Sequence, residues 1–146
     1  MDSSRPDLAL TYRGVVYPWQ CDHMGHMNVM WYVGKFDEAT WNLMAEVGLT
    51  PEYLRDNGRG MAAVEQQISY KRELLAGDTV TIRSEILELR DKSIRFRHIM
   101  RGGEGSIAAE TILTGVHIDT ELRKSCAFEP VIRERAAALL ASGVGD

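Results

Sequence analysis

The chain has 146 residues, of which 45% are hydrophobic and 26% are charged, and its formal net charge is -4. These values are typical of one globular domain, so we expect a single domain over residues 1–146 with residues 1–8 as a flexible arm. The mild negative charge argues against nucleic-acid binding, and no apolar run is long enough to predict a membrane span. Two cysteines without metal-ligand spacing, and no secretory signal, favour a cytoplasmic protein with reduced thiols.

The first half of the chain predicts a strand followed by one long helix. Residues 10–17 have strand character, and Pro18 closes the strand because proline lacks a ladder donor. From about residue 28 to residue 47, apolar side chains recur every three or four positions, which predicts one buried helix face with Lys35 lying off it. The residues of that face are Tyr32, Phe36, Ala39, Leu43 and Val47.

The second half predicts strands joined by short connections, after a short helix over residues 50–58. The four strands cover about residues 64–71, 80–89, 94–100 and 106–118, and a terminal helix covers residues 130–141. The apolar face switches within the strand 80–89, which indicates a bulge or strong coiling. Short connections favour antiparallel neighbours. We therefore expect an α+β fold in which an antiparallel sheet of about five strands wraps one long helix, with open sheet edges that favour a homodimer.

The segment from residue 22 to residue 32, DHMGHMNVMWY, carries the chemistry. It places a carboxylate, two imidazoles and an amide directly before the predicted helix. The positive end of a helix stabilises developing negative charge, so this arrangement predicts chemistry on an acyl carbonyl.

This segment resembles the signature of the hot-dog-fold acyl-CoA thioesterases of the 4-hydroxybenzoyl-CoA thioesterase type. Further matches are Phe36-Asp-Glu-Ala39, Tyr70, Gly77-Asp-Thr-Val80 and Lys92-Ser93. The resemblance implies a hot-dog fold and hydrolysis of a small or medium acyl-CoA. It also implies no cofactor, because coenzyme A is part of the substrate, and a homodimer or homotetramer.

By the same resemblance, Asp22 is the catalytic carboxylate, as a nucleophile or as the general base for water. The residues alone leave both roles open, and they also allow Asp22 to be a turn cap. His26 and Asn28 either support the attack or hold the loop and cap the helix. The backbone N–H of Val29 is the expected donor to the carbonyl oxygen.

Three further residues are weaker candidates. Glu65 is either a second carboxylate that reaches the partner subunit's site or a surface residue. Arg90 and Lys92 are either contacts for coenzyme A phosphates or solvated turn residues. Four methionines and one tryptophan near the motif suit either an acyl pocket or packing, with packing favoured for Met44: Met24, Met27, Met30, Trp31 and Met44. No metal site is predicted, because the histidines and cysteines follow no zinc-ligand spacing.

Two other functions compete with hydrolysis. One is a non-catalytic acyl-CoA binding module. The other is a hydratase or dehydratase for enoyl thioesters on the same fold, whose Asp/His pattern is absent here. The sequence leaves the acyl group open.

Overall fold

The structure is a computed structural model, and it describes residues 7–140, so most of the predicted arm over residues 1–8 lies outside the described residues. The order of elements agrees with the sequence prediction, with a long helix followed by consecutive strands. The elements are β1 (Ala9–Val15), a short 3-10 turn (Pro18–Gln20), α1 (Val29–Glu46), α2 (Pro51–Asn57), β2 (Arg59–Tyr70), β3 (Thr79–Leu89), β4 (Ser93–Gly102), β5 (Ile107–Asp119), β6 (Lys124–Ser125) and α3 (Pro130–Ala138).

The sheet is antiparallel throughout, with the strand order β1-β3-β4-β5-β2, and the two-residue β6 pairs with β5. The register of β3 shifts between Ile86 and Glu88, which is the bulge that the switch of apolar face predicts. A second shift lies in β2 between Ala63 and Glu65. Within residues 7–140, β2 pairs only with β5, so its other side is an open edge whose backbone can pair with another strand. The homodimer remains a prediction.

The predicted apolar face of α1 is the centre of the core. All five of its residues are buried: Tyr32, Phe36, Ala39, Leu43 and Val47. Lys35 was predicted off this face, and the structure corrects that prediction, because the side chain is only 2% exposed. Its Nζ donates to Tyr12 Oη at 2.9 Å and to the Val15 carbonyl at 3.4 Å, which satisfies the buried ammonium group. None of the helices within residues 7–140 is both long enough and apolar enough to cross a membrane.

A hydrogen-bonded chain around His98 joins α1 to the sheet. The Thr40 hydroxyl donates to the Phe36 carbonyl at 3.0 Å, so it accepts from His98 Nε2 at 2.9 Å. Nδ1 of the neutral ring then accepts from Ser84 Oγ at 2.5 Å, and Ser84 Oγ lies 2.7 Å from Thr11 Oγ1. The ring is fully buried, and this burial lowers its pKa from 6.5 to about 3.

This histidine makes the fold sensitive to acid. The unfolded chain binds a proton on His98 below about pH 6.5, whereas the folded chain binds it only near pH 3. Stability is therefore lost as the pH falls through this window, by at most ~5 kcal/mol. Urea unfolding between pH 7 and pH 4 should show a steeper fall in the wild type than in His98→Gln, whose amide can still donate and accept. Equal pH slopes for the two proteins would contradict this assignment.

Candidate active site

A tight loop between the 3-10 turn and α1 brings the motif together. Cys21 and Met27 form an isolated β-bridge, and the Asp22 N–H donates to the His26 carbonyl at 3.1 Å. The Gly25 N–H donates to the Asp22 carbonyl at 3.0 Å, with a φ of 91° that favours glycine. The Met27 N–H donates to the Leu74 carbonyl at 2.7 Å, which fixes the loop against the segment after β2.

The Asp22 carboxylate has two donors. Its Oδ2 accepts from Asn28 Nδ2 at 2.8 Å, and its Oδ1 accepts from the Met24 N–H at 2.9 Å. These two bonds, of which the one from Asn28 has the larger effect, hold the pKa of Asp22 below its usual value of 3.8. The group is therefore an anion at neutral pH, the state that both a nucleophile and a general base require.

Asn28 caps α1, which is one of the two alternatives for this residue, and its support of the attack remains a prediction. Its backbone is extended, with φ -72° and ψ 149°, and its Oδ1 accepts from the Met30 N–H at 2.9 Å as the N-cap of α1. Its Nδ2 is the donor to Asp22. One side chain therefore begins the helix and orients the carboxylate.

Val29 is the first residue of α1, where a helix leaves backbone N–H groups unpaired. The next two N–H groups bond to Asn28, that of Met30 to the side chain and that of Trp31 to the carbonyl at 2.9 Å. Within residues 7–140 the Val29 N–H has no hydrogen-bond acceptor. It is therefore available to a ligand, at the positive end of the helix dipole.

Val29 lines an open groove of about 270 Å³ at the N-terminus of α1, which we call the N-terminal groove. Its lining residues are His26, Met27, Val29, Tyr32, Tyr70, Lys71, Arg72 and Glu73. Lys71 lies 3.8 Å from Glu110 and Arg72 lies 3.7 Å from Glu104, both as exposed ion pairs that an anionic ligand can replace. From the sequence, Lys71 and Arg72 are only two of several basic residues that could contact coenzyme A phosphates, with Arg90 and Lys92 favoured, and Glu73 is not assigned to the site.

His26 lines the same groove, but its side chain contacts Glu73 and not Asp22. Its Nε2 lies 3.4 Å from Glu73 Oε2, and no hydrogen bond joins its side chain to Asp22 within the described residues. Its support of the attack remains a prediction, and Glu73 is the residue positioned to orient it.

Glu65, Arg90 and Lys92 lie elsewhere in the protomer. Glu65 and Arg90 line a shallow depression on the sheet that also includes Arg95, and Arg90 Nε donates to Glu88 at 2.7 Å. Lys92 is exposed in the β3–β4 turn. None of the three lines the N-terminal groove, so within one chain they are separate from Val29. Their predicted roles remain predictions.

The predicted methionine cluster is divided between the core and the surface. Met27 is buried in the core, whereas Met24 and Met30 are exposed. Met44 is buried and lines a second, mainly apolar groove beside α1. Within residues 7–140, no three histidine, cysteine or acidic side chains lie close enough together to hold a metal ion.

The known proteins that resemble this chain are thioesterases. Residues 16–136 match the thioesterase-like superfamily. The L-carnitine dehydrogenase/betainyl-CoA thioesterase of Agrobacterium fabrum is 30% identical over 115 residues, which are 76% of this chain but only 23% of that protein. The chain thus spans about a quarter of this relative. The long-chain acyl-CoA thioesterase FadM of Escherichia coli is 28% identical over 118 residues, which are 80% of this chain and 89% of that protein.

A solved structure supports the same assignment. The structure of a gentisyl-coenzyme A thioesterase superposes with a TM-score of 0.76 at 27% identity, over 86% of this chain and 98% of that chain. The chain therefore belongs to the thioesterase-like superfamily, which confirms the predicted hot-dog fold and the predicted class of thioester hydrolase.

Proposed function

We propose that this protein hydrolyses an acyl-CoA thioester in the N-terminal groove, with Asp22 directing the attack. One observation carries the proposal: the ionised Asp22 carboxylate is bonded to the side chain of Asn28, the residue directly before the unpaired N–H of Val29 at the start of α1. A thioesterase needs an anion that attacks or activates water, and a donor where the carbonyl oxygen becomes negative. Asp22 and Val29 can supply these two functions.

Two sequences of steps fit this geometry. In the first, an Asp22 oxygen attacks the carbonyl carbon and expels the coenzyme A thiolate, and water then hydrolyses the resulting anhydride. In the second, Asp22 takes a proton from water while that water attacks. In both, the negative oxygen of the tetrahedral intermediate accepts from the Val29 N–H before the C–S bond breaks. Asn28 keeps the carboxylate oriented by its bond to Oδ2.

In this proposal the substrate is an acyl-CoA, and the protein is a homodimer. Lys71 and Arg72 are better placed than Arg90 and Lys92 to meet coenzyme A phosphates beside Val29, because only the first two line the N-terminal groove. In a dimer joined through the open edge of β2, Glu65 is the candidate contribution of the partner subunit. The relatives carry different acyl groups in their names, betainyl, long-chain and gentisyl, so they leave the acyl group open.

A hydrolysis screen tests the proposal. We expect release of free coenzyme A thiol from at least one member of a panel of aliphatic, branched, aromatic and cationic acyl-CoAs. If acyl-CoAs of this panel raise the melting temperature of the protein but release no thiol, the binding module is favoured instead. Hydration of an enoyl-CoA without thiol release would favour the hydratase.

A further inference from the structure

The second groove, which we call the helix-side groove, lies between α1 and the sheet. It encloses about 130 Å³, well below the ~300–1,000 Å³ of pockets that enclose a whole drug-sized ligand. This size suits the end of an acyl chain. Its apolar walls come from α1, β2, β4 and β5 and include Val33, Trp41, Met44, Met61, Phe96 and Leu113.

The exposed Asp37 places one carboxylate at the edge of this apolar lining. Two other polar groups of the groove are already bonded: the Thr40 hydroxyl donates to the Phe36 carbonyl at 3.0 Å, and Gln66 Nε2 donates to Thr111 Oγ1 at 3.3 Å. Asp37 makes no hydrogen bond or ion pair within the described part of the chain. A neutral acyl chain that filled the groove would displace water from this carboxylate without replacing it, whereas a cation would compensate the charge.

The mainly apolar walls of the groove suit a quaternary ammonium. A primary ammonium carries three N–H donors that need acceptors, and the free side-chain acceptors among the described lining residues are the Asp37 carboxylate, Gln66 Oε1 and the Thr114 hydroxyl. A quaternary ammonium has no donors, and its methyl groups suit apolar walls. Trp41 lies one helical turn after Asp37 and is 43% exposed, so its indole is open to a cation–π contact.

We propose that Asp37 and Trp41 select an acyl group that ends in a quaternary ammonium, an inference that rests on the proposed thioesterase function. Val33 of the helix-side groove lies one turn after Val29 of the N-terminal groove and one turn before Asp37 along α1. The backbone of Asp37 is about 12 Å from that of Val29 along the helix axis. The Asp37 side chain leans towards the helix N-terminus, so the carboxylate is closer to Val29 than this. An extended chain advances about 1.2 Å per bond, and an ion-pair contact spans about 4 Å. The charge therefore belongs about four to six bonds from the carbonyl carbon.

Matched pairs of substrates test this proposal. Trimethylammonio-acetyl-, -butanoyl- and -hexanoyl-CoA place the charge two, four and six bonds from the carbonyl, and a tert-butyl group in place of trimethylammonium gives a neutral partner of each. We expect the wild type to prefer the cationic member of the butanoyl or hexanoyl pair by at least about tenfold in kcat/KM. Asp37→Asn should reduce this ratio at least about tenfold. Glu38→Gln, which changes the adjacent exposed carboxylate outside the groove, should leave the ratio unchanged.

A binding measurement separates this proposal from the proposed function. Calorimetric titration with the corresponding thioethers, which cannot be hydrolysed, should give the same cationic preference in the wild type and its loss in Asp37→Asn. An absence of turnover with all esters would overturn the proposed function, while the thioether affinities still decide the selectivity. Equal affinities for cationic and neutral thioethers, or a preference that survives Asp37→Asn, would overturn the role of Asp37.

Discussion

Asp22→Asn should lower kcat by about 100- to 10,000-fold, the range that a general acid–base group contributes. The asparagine keeps the shape of the side chain but cannot ionise, so it serves neither as a nucleophile nor as a base. The loss should appear in kcat more than in KM, because in the proposed mechanism Asp22 acts on the reacting atoms and does not bind the rest of the substrate. Initial rates of thiol release with the best acyl-CoA from the screen measure this effect.

The control for this variant is Asp56→Asn, because Asp56 is an exposed carboxylate on α2 whose side chain makes no hydrogen bond or ion pair within the described residues. It should retain the wild-type rate. The near-ultraviolet circular dichroism and melting curve of Asp22→Asn should show a folded protein. A folded Asp22→Asn protein that turned over at half the wild-type rate would remove Asp22 from the mechanism.

Val29→Pro should lower kcat by about 100- to 1,000-fold, as loss of one oxyanion donor does in other enzymes. Backbone donors usually resist mutagenesis, but Val29 is the first residue of α1, where proline is well tolerated. The extended backbone of Asn28, with φ -72° and ψ 149°, also suits a residue that precedes proline. The substitution therefore deletes the N–H and preserves the helix.

Val29→Ala is the matched control, because it removes the side chain and keeps the N–H. Both variants should melt close to the wild type. The two should differ in kcat by the full contribution of the donor, since the groove loses side-chain contacts in both. If the rates of Val29→Pro and Val29→Ala agreed within a few-fold, the carbonyl oxygen would not be bound by this amide.

Much of this architecture follows from local pattern. The three- and four-residue spacing in α1 identifies the buried face because the helix must cover the sheet with one stripe. The bulge in β3 follows from the switch of apolar face. The burial of Lys35 was not predicted because it depends on two acceptors in β1, Tyr12 and Val15. Both lie about 20 positions earlier in the chain, so no local pattern indicates them.

The composition of the N-terminal groove depends on long-range contacts. The bond from the Met27 N–H to the Leu74 carbonyl brings the segment after β2 beside the motif. Lys71, Arg72 and Glu73 enter the site by this contact. Arg90 and Lys92 instead lie in a turn next to α3, where Arg133 donates to the Arg90 carbonyl at 2.8 Å. Sequence spacing contains no information about which of these basic residues approaches Val29.

Asp22 and Asn28 show why a structural and a catalytic interpretation of a loop residue are compatible. The turn that Asp22 caps and the helix that Asn28 caps together set the position of the carboxylate relative to Val29. Hydrogen bonds that stabilise the loop also favour the anion. The loop and the first turn of α1 are therefore the scaffold that holds Asp22 and Val29 in place.

The central claim is that the carbonyl of the substrate lies against the Val29 amide beside Asp22. Isotope-edited infrared spectroscopy tests it directly, with an acyl-CoA labelled with carbon-13 at the carbonyl and bound to the slow Asp22→Asn variant. The carbonyl stretch should move to lower frequency than in water, and this shift should disappear when Val29→Pro is added. A bound thioester whose carbonyl band is the same with and without the Val29 N–H would contradict the account.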